Sequence, residues 1–210
     1  MLHESVKSFE EANVPFDLHS TLEWGTKCAE KGVSVTYGKF LSPLSKSLPP
    51  ESRLCNICLV SPENDVSTSR RVSVVMLPAT GEQCYTNRFS MARVLAIQHG
   101  WSSVIISAPF YGERRPFLQE EDFTDTVAEY LLMNISIIQE AALVVRHLVS
   151  TGTDLVCITG FSWGGATAAC TSCQAAQWGT DYRRLVCVPY AGGSNPSGMV
   201  DGLLECTIEW

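Results

Sequence analysis

The sequence has no basic cluster and little charge of either sign. Only 18 % of its 210 residues are charged, and 15 Lys and Arg face 22 Asp and Glu, for a net charge of −7. A net acidic chain without a cationic block offers a phosphate backbone no electrostatic footprint, so no nucleic-acid partner is expected. The start, MLHESVKSFEEANVPF, lacks an apolar h-region and is acidic where a transit peptide is Arg-rich, so no targeting signal is read and an intracellular protein is expected. No clean bilayer-length apolar run occurs either. The nearest stretch, 127–149, is interrupted by Glu129, Asn134, Gln139, Glu140 and Arg146. Cysteine is below the density of a disulfide scaffold: nine, odd in number and irregularly spaced, which fits small buried thiols such as Cys157 and Cys187 in a reducing compartment. Histidine is confined to positions 3, 19, 99 and 147.

What is present is an ordinary globular composition, 45 % apolar, at a length of about one domain or one and a half. Residues 1–53 read as an N-terminal segment, helical or irregular: one or two helices within 1–40, then a Pro- and Ser-punctuated connector. Residues 54–210 read as a single α/β domain. Its first strand is Leu54 to Val60, followed by a segment, 61–70, with the residues of a hairpin loop. Val72 to Leu77 is a β-branched strand bounded by Pro78 and Gly81. A helix from Arg88 to His99 stops at Gly100, and SVIIS (103–107) is an apolar strand of the kind covered on both faces. Apolar residues then recur at steps of three and four from Phe123 to Ser150, a long helix ended by Thr151-Gly152. Asp154 to Thr159 is a strand, Gly164 to Ala176 a small-residue helix, and Leu185 to Pro189 a strand. This alternation predicts a mostly parallel sheet with helices on both faces.

The most informative residues are Gly160-Phe161-Ser162-Trp163-Gly164-Gly165. They are G-x-S-x-G between a strand and a helix, the setting of a nucleophile elbow. Such a turn strains the serine backbone and leaves no room for side chains two residues away, hence the glycines. Ser162 is therefore the candidate nucleophile, at a helix N-terminus whose dipole favours developing negative charge. The Trp163 N–H is one candidate oxyanion donor. The turn after the Val72–Leu77 strand, Pro78-Ala79-Thr80-Gly81, supplies a second from Thr80 or Gly81.

LPATGE, then APFYGERRP, a long helix and GFSWGG resemble the α/β-hydrolase domain-containing protein 18 family over about residues 40–210. That family has a Gly-Thr-Gly turn, a Pro-Phe-Tyr-Gly-x-Arg-x-Pro loop and a Gly-x-Ser-x-Gly-Gly elbow in this order. Pro109, Phe110, Tyr111, Gly112, Arg114 and Pro116 match position by position, and Phe40–Pro43 resembles the segment ahead of the sheet. Ala79, Glu82 and Trp163 depart from the usual glycine, aspartate and methionine. The resemblance implies an α/β-hydrolase fold and hydrolysis of acyl esters, with lipids, mitochondrial phospholipids among them, as the leading substrates. Mitochondrial location and peripheral membrane contact follow from the same implication, and no cofactor does.

A serine needs a base, which in this fold follows it in the order Ser, acid, His. No histidine follows Ser162, and the later acids are Asp181, Asp201, Glu205 and Glu209. The expectation is an α/β-hydrolase domain whose C-terminal strands, acid and histidine lie beyond Trp210. The alternative is a non-catalytic hydrolase-fold protein with a binding role. Tyr111 and Arg114 are candidate substrate contacts. Tyr111 reads equally as a core aromatic, and Arg114 and Arg115 as solvated or paired with Glu113, Glu120 or Glu121. The run Glu120-Glu121-Asp122 with Asp125 reads as an acidic helix N-terminus. Two CxxC pairs, Cys55/Cys58 and Cys170/Cys173, are assigned to the core rather than to metal: i and i+3 of a strand face opposite ways, and the helical pair sits among alanines.

Overall fold

Sequence alternation in the first strands sets the architecture. The computed structural model describes residues 22–64, 70–120 and 122–193. Short strands β1 (Glu23–Trp24) and β2 (Cys28–Glu30) both pair antiparallel with β3 (Val33–Leu41). Lys31 and Gly32, both at positive φ (50° and 82°), close the β2–β3 turn. Two positive φ values match the right-handed twist of a tight hairpin. The helices expected within 1–40 are thus replaced by strands over 22–40, and 1–21 lie outside the described residues. The missed signal was Lys-Gly followed by alternating Val33 and Val35, both buried.

β3 pairs with β4 (Leu54–Pro62) along nine residues, and β4 pairs antiparallel with β6 (Ser102–Ile106). From there the sheet is parallel: β6, β5 (Val72–Leu77), β7 (Leu155–Phe161) and β8 (Leu185–Tyr190). The eight strands of the described residues form one sheet in the order β1-β3-β4-β6-β5-β7-β8, with β2 on β3. Segment 61–70 is therefore no hairpin loop, because β6 lies between the strands it joins.

Among the described residues three α-helices cover the sheet: α1 (Thr86–His99), α2 (Val127–Ser150) and α3 (Trp163–Gln177). Strand alternation divides the core in two. Val75, Leu77, Val104 and Ile106 meet Met133, Ile137, Ala141 and Ala168 on the α2–α3 face. Val74, Met76 and Ile105 meet Ala92 and Ala96 of α1 on the other. Full burial of a side chain such as Ile137 contributes about 1.5–3 kcal/mol. α1 ends where expected, with Gly100 in the left-handed conformation. α2 begins four residues later than the periodicity implies, because Thr126 and Glu129 form a capping box: each side chain takes the other's backbone N–H. The acidic run precedes the helix, and Asp122 instead pairs with Arg115 at 2.6 Å. α2 is long and apolar enough to cross a bilayer, but half of its apolar window is buried against this protein.

Cys55 lies in one core and Cys58 in the other, as a strand requires. Cys170 and Cys173, expected in the core, are instead exposed on the outer side of α3. Cys157 and Cys187 are half-buried rather than buried. Burial pushes the Cys58 thiol up to about 12 and raises Cys55 as well. Exposed Cys84, just before α1, is shifted down by hydrogen bonds from Thr86. A lowered pKa keeps the thiolate populated as pH falls, and a raised one removes it. Alkylation by iodoacetamide, followed by peptide mapping as pH rises from about 6, should therefore modify Cys84 early and leave Cys55 and Cys58 intact in the folded protein.

Candidate active site

The end of β7 and the start of α3 meet at Ser162, whose φ of 54° and ψ of −117° lie outside the ordinary regions for a residue with a side chain. The strain persists because the surroundings fix it. Ser162 N–H donates to the Tyr190 carbonyl (2.9 Å), extending the β7–β8 ladder, while its own carbonyl accepts from Gly165 and Ala166 to begin the helix. A Cβ on Gly160 would lie 2.5 Å from the Gly164 carbonyl, and one on Gly164 would lie 2.6 Å from the Pro78 carbonyl. Both glycines are there because backbone touches backbone.

That second contact brings the elbow against the exit of β5. Leu77 is in register with Gly160 on the neighbouring strand, so the turn 79–81 sits beside Ser162. Trp163 opens α3, so its N–H has no intrahelical acceptor. In the turn, Ala79 N–H donates to Glu82 Oε2 (3.0 Å) and Glu82 N–H to the Ala79 carbonyl (3.2 Å). Among the described residues no acceptor takes the Thr80 N–H. Trp163 and Thr80 thus each carry a backbone N–H that no described residue accepts, one beginning α3 and one in the turn after β5.

The Trp163 side chain turns away into the core. It is 5 % exposed, and its indole N–H donates to Asn134 Oδ1 on α2 (2.7 Å), whose amide donates to the Tyr130 carbonyl (2.7 Å). Tyr111 meets it edge-on, with ring centroids 6.1 Å apart, and also packs on Phe123. Tyr111 is therefore a core aromatic beside the elbow. Burial raises its pKa, and the adjacent Gly81 amide opposes that shift.

Arg114 does not reach solvent. It is fully buried, and its guanidinium grips Glu140 of α2 with two hydrogen bonds (2.7 and 2.8 Å) while donating to the Ser107 and Ser52 carbonyls. The expected substrate contact is corrected to an internal brace, and its partner is none of the nearby acids the sequence offered. Burial alone would lower the Arg114 pKa, but the Glu140 carboxylate outweighs it and holds the guanidinium charged.

No described histidine approaches Ser162. His147 lies thirteen residues beyond Asn134 on α2, roughly 20 Å along a helix rising about 1.5 Å per residue. His99 closes α1 at the opposite edge of the sheet. His3, His19, Asp201, Glu205 and Glu209 lie outside the described residues. Elsewhere, a depression of about 630 Å³ lies over β3 and β4, lined by Tyr37, Lys39, Asn56, Tyr85 and Glu113 rather than by the elbow.

A mixed sheet, parallel from β6 through β8 and covered by helices, with a strained serine between strand and helix, defines the α/β-hydrolase class. Known structures agree on the fold. An acetyl xylan esterase from Paenibacillus sp. superposes with a TM-score of 0.61 at 14 % identity, covering 95 % of this chain and 65 % of that one. One from Thermoanaerobacterium sp. gives 0.60 at 10 %, covering 94 % and 61 %. A cold-adapted esterase from an Arctic intertidal metagenomic library gives 0.55 at 14 %, covering 74 % and 62 %. The chain thus spans less than two thirds of the length of these three esterases. Residues 2–210 match the family "Alpha/beta hydrolase domain containing 18", and the chain belongs to that family.

Removing one partner of a buried ion pair strands the other charge, at about 3–5 kcal/mol. Glu140→Gln should lower stability by about that much in urea titrations, while the double variant Arg114→Met/Glu140→Leu should recover part of the loss. A Glu140→Gln midpoint equal to wild type would contradict the brace.

Proposed function

We propose that the protein is a serine ester hydrolase that works through an acyl-serine intermediate, with a lipid or similar acyl ester as substrate. The observation that carries this reading is Ser162 at φ 54°, held between β7 and α3 by contacts no side chain could share. Its Oγ adds to the ester carbonyl carbon while a base takes the hydroxyl proton. The carbonyl oxygen becomes an oxyanion facing the Trp163 and Thr80 amides, one such donor contributing about 2.7–4 kcal/mol to the transition state. Collapse of the tetrahedral species expels the alcohol, which leaves with the proton returned by the base. Water then repeats the sequence on the acyl-serine and frees the acid. The base is a group outside the described residues, since His99 and His147 sit at the far ends of their helices. That same fact favours the second reading, a binding protein that keeps the fold without catalysis.

A fluorophosphonate probe separates the two. On the first reading it labels Ser162, and Ser162→Ala abolishes both labelling and any p-nitrophenyl ester hydrolysis. A wild-type chain that stays unlabelled favours the binding role.

The lipid preference and peripheral membrane contact draw support from the β6–α2 loop, on the same edge as Ser162. Phe117 and Leu118 are 88 % and 84 % exposed. They occupy the corners of a turn closed by Gln119 N–H on the Pro116 carbonyl and braced by Arg115 on the Gln119 and Glu120 carbonyls. Turn corners usually carry Gly, Asn, Asp or Ser; here hydrogen bonds hold two large apolar side chains out in water. Phosphatidylcholine vesicles should co-sediment the wild type, and Phe117→Ser/Leu118→Ser should weaken that binding. Equal sedimentation of the two would remove this support.

A further inference from the structure

The three amides beside Ser162 are not equivalent. Ala79 N–H is occupied by Glu82 Oε2 at 3.0 Å, whereas among the described residues no acceptor takes the Thr80 or Gly81 N–H. The peptide between Ala79 and Thr80 is fixed from its other side, because the Ala79 carbonyl accepts the Glu82 N–H at 3.2 Å. A trans peptide is planar, so its C=O and N–H point in opposite directions. Tying the Ala79 carbonyl to Glu82 therefore aims the Thr80 N–H the other way. Were that plane to flip, an oxyanion on Ser162 would meet a carbonyl oxygen instead of a donor.

Glu82 is itself held. Its Oε1 accepts from Arg88 Nε at 2.8 Å, and Arg88 donates Nη1 to the Met76 carbonyl (2.9 Å) and the Ile106 carbonyl (2.7 Å). Both side chains are largely withdrawn from water, 11 % and 14 % exposed. The turn is thus referenced through α1 to the ends of β5 and β6, the strands that also fix the elbow's neighbour.

We propose that Glu82, anchored by Arg88, is a positioning residue of the oxyanion site: its carboxylate on the Ala79 N–H and its own N–H on the Ala79 carbonyl together hold the turn so that the Thr80 N–H faces the oxygen of a tetrahedral adduct on Ser162. This rests on the reading of Ser162 as the nucleophile. Phenylboronic acid tests it in the whole chain. Ser162 Oγ bonds to boron, its proton passes to the buffer, and the tetrahedral boronate carries the negative charge that the amides meet.

The wild type, labelled with nitrogen-15, should bind the boronate with a downfield shift of the Thr80 amide proton, and Ser162→Ala should not. Glu82→Ala keeps the backbone bond to the Ala79 carbonyl but loses the carboxylate on the Ala79 N–H; it should weaken binding by about tenfold or more, up to the roughly 10²–10³ that loss of a whole oxyanion donor costs, and should diminish the Thr80 shift. Glu82→Asp should restore most of both. Glu82→Gln, which keeps the shape but not the charge that Arg88 pairs with, should fall between, and it reports on the same point if Glu82→Ala does not fold. A folded Glu82→Ala or Glu82→Gln that binds boronate as tightly as wild type, with the Thr80 shift intact, would reduce Glu82 to a structural residue. A wild type whose binding equals that of Ser162→Ala would instead defeat the reading of Ser162, and this proposal with it.

Discussion

The first turn of α3 lies directly on the exit of β5, backbone against backbone, and the arrangement at the carboxyl edge of the sheet follows from that contact. A single methyl at Gly164 would meet the Pro78 carbonyl at 2.6 Å. With the helix pushed back, Ser162 would no longer stand beside the 79–81 turn, and its backbone would lose what holds it at positive φ. The parallel register of β5 and β7 sets the position along the strand; the absent side chain sets the distance across it. Two strands about 4.8 Å apart then bring a hydroxyl and a backbone donor together without any long side chain reaching for either.

Behind the elbow, α2 serves as the common backing. Asn134 holds the indole of Trp163, and six residues later Glu140 holds Arg114 in the loop that carries Tyr111. Tyr111 in turn packs on Trp163. A buried ion pair is a poor source of net stability, because desolvation cancels much of its Coulomb energy. It does discriminate between alternative placements of a loop, since every misplacement leaves a charge unpaired. Arg114 adds two carbonyl contacts to its two carboxylate contacts, so the guanidinium fork fixes the loop in direction as well as position.

Much of this was legible in the sequence where a pattern is local. The elbow, the strands flanking it, the glycine that ends α1 and the opposite faces of Cys55 and Cys58 all follow from period, turn chemistry and the cost of a Cβ. What was not legible depends on partners distant in sequence. β4 alternates well enough to be read as a strand, but nothing in it says that β6 rather than β5 lies alongside. Arg114 sits among acids in sequence yet pairs with Glu140, 26 residues away and a whole helix distant. Glu82 and Arg88 are six residues apart and look like surface charges of a turn and a helix; only the packing of α1 against β4 and β6 withdraws them from water. The strands over 22–40 were missed for a different reason: Lys-Gly is a weak hairpin signal until both residues are seen at positive φ.

The sheet is least finished where the chemistry is expected. α1 packs mainly on β4 and β6, but Phe161, Val186, Val188 and Tyr190 remain 40–67 % exposed on the same face of β7 and β8. β8 ends the sheet in the described residues, leaving one row of backbone groups unpaired, and an apolar edge of this kind is a template for a further strand. Ser162 already bonds to β8 through the Tyr190 carbonyl. A strand that paired in parallel with β8 would therefore be separated from the serine's own strand by β8 alone, and its carboxyl end would lie at the edge of the sheet that carries Ser162.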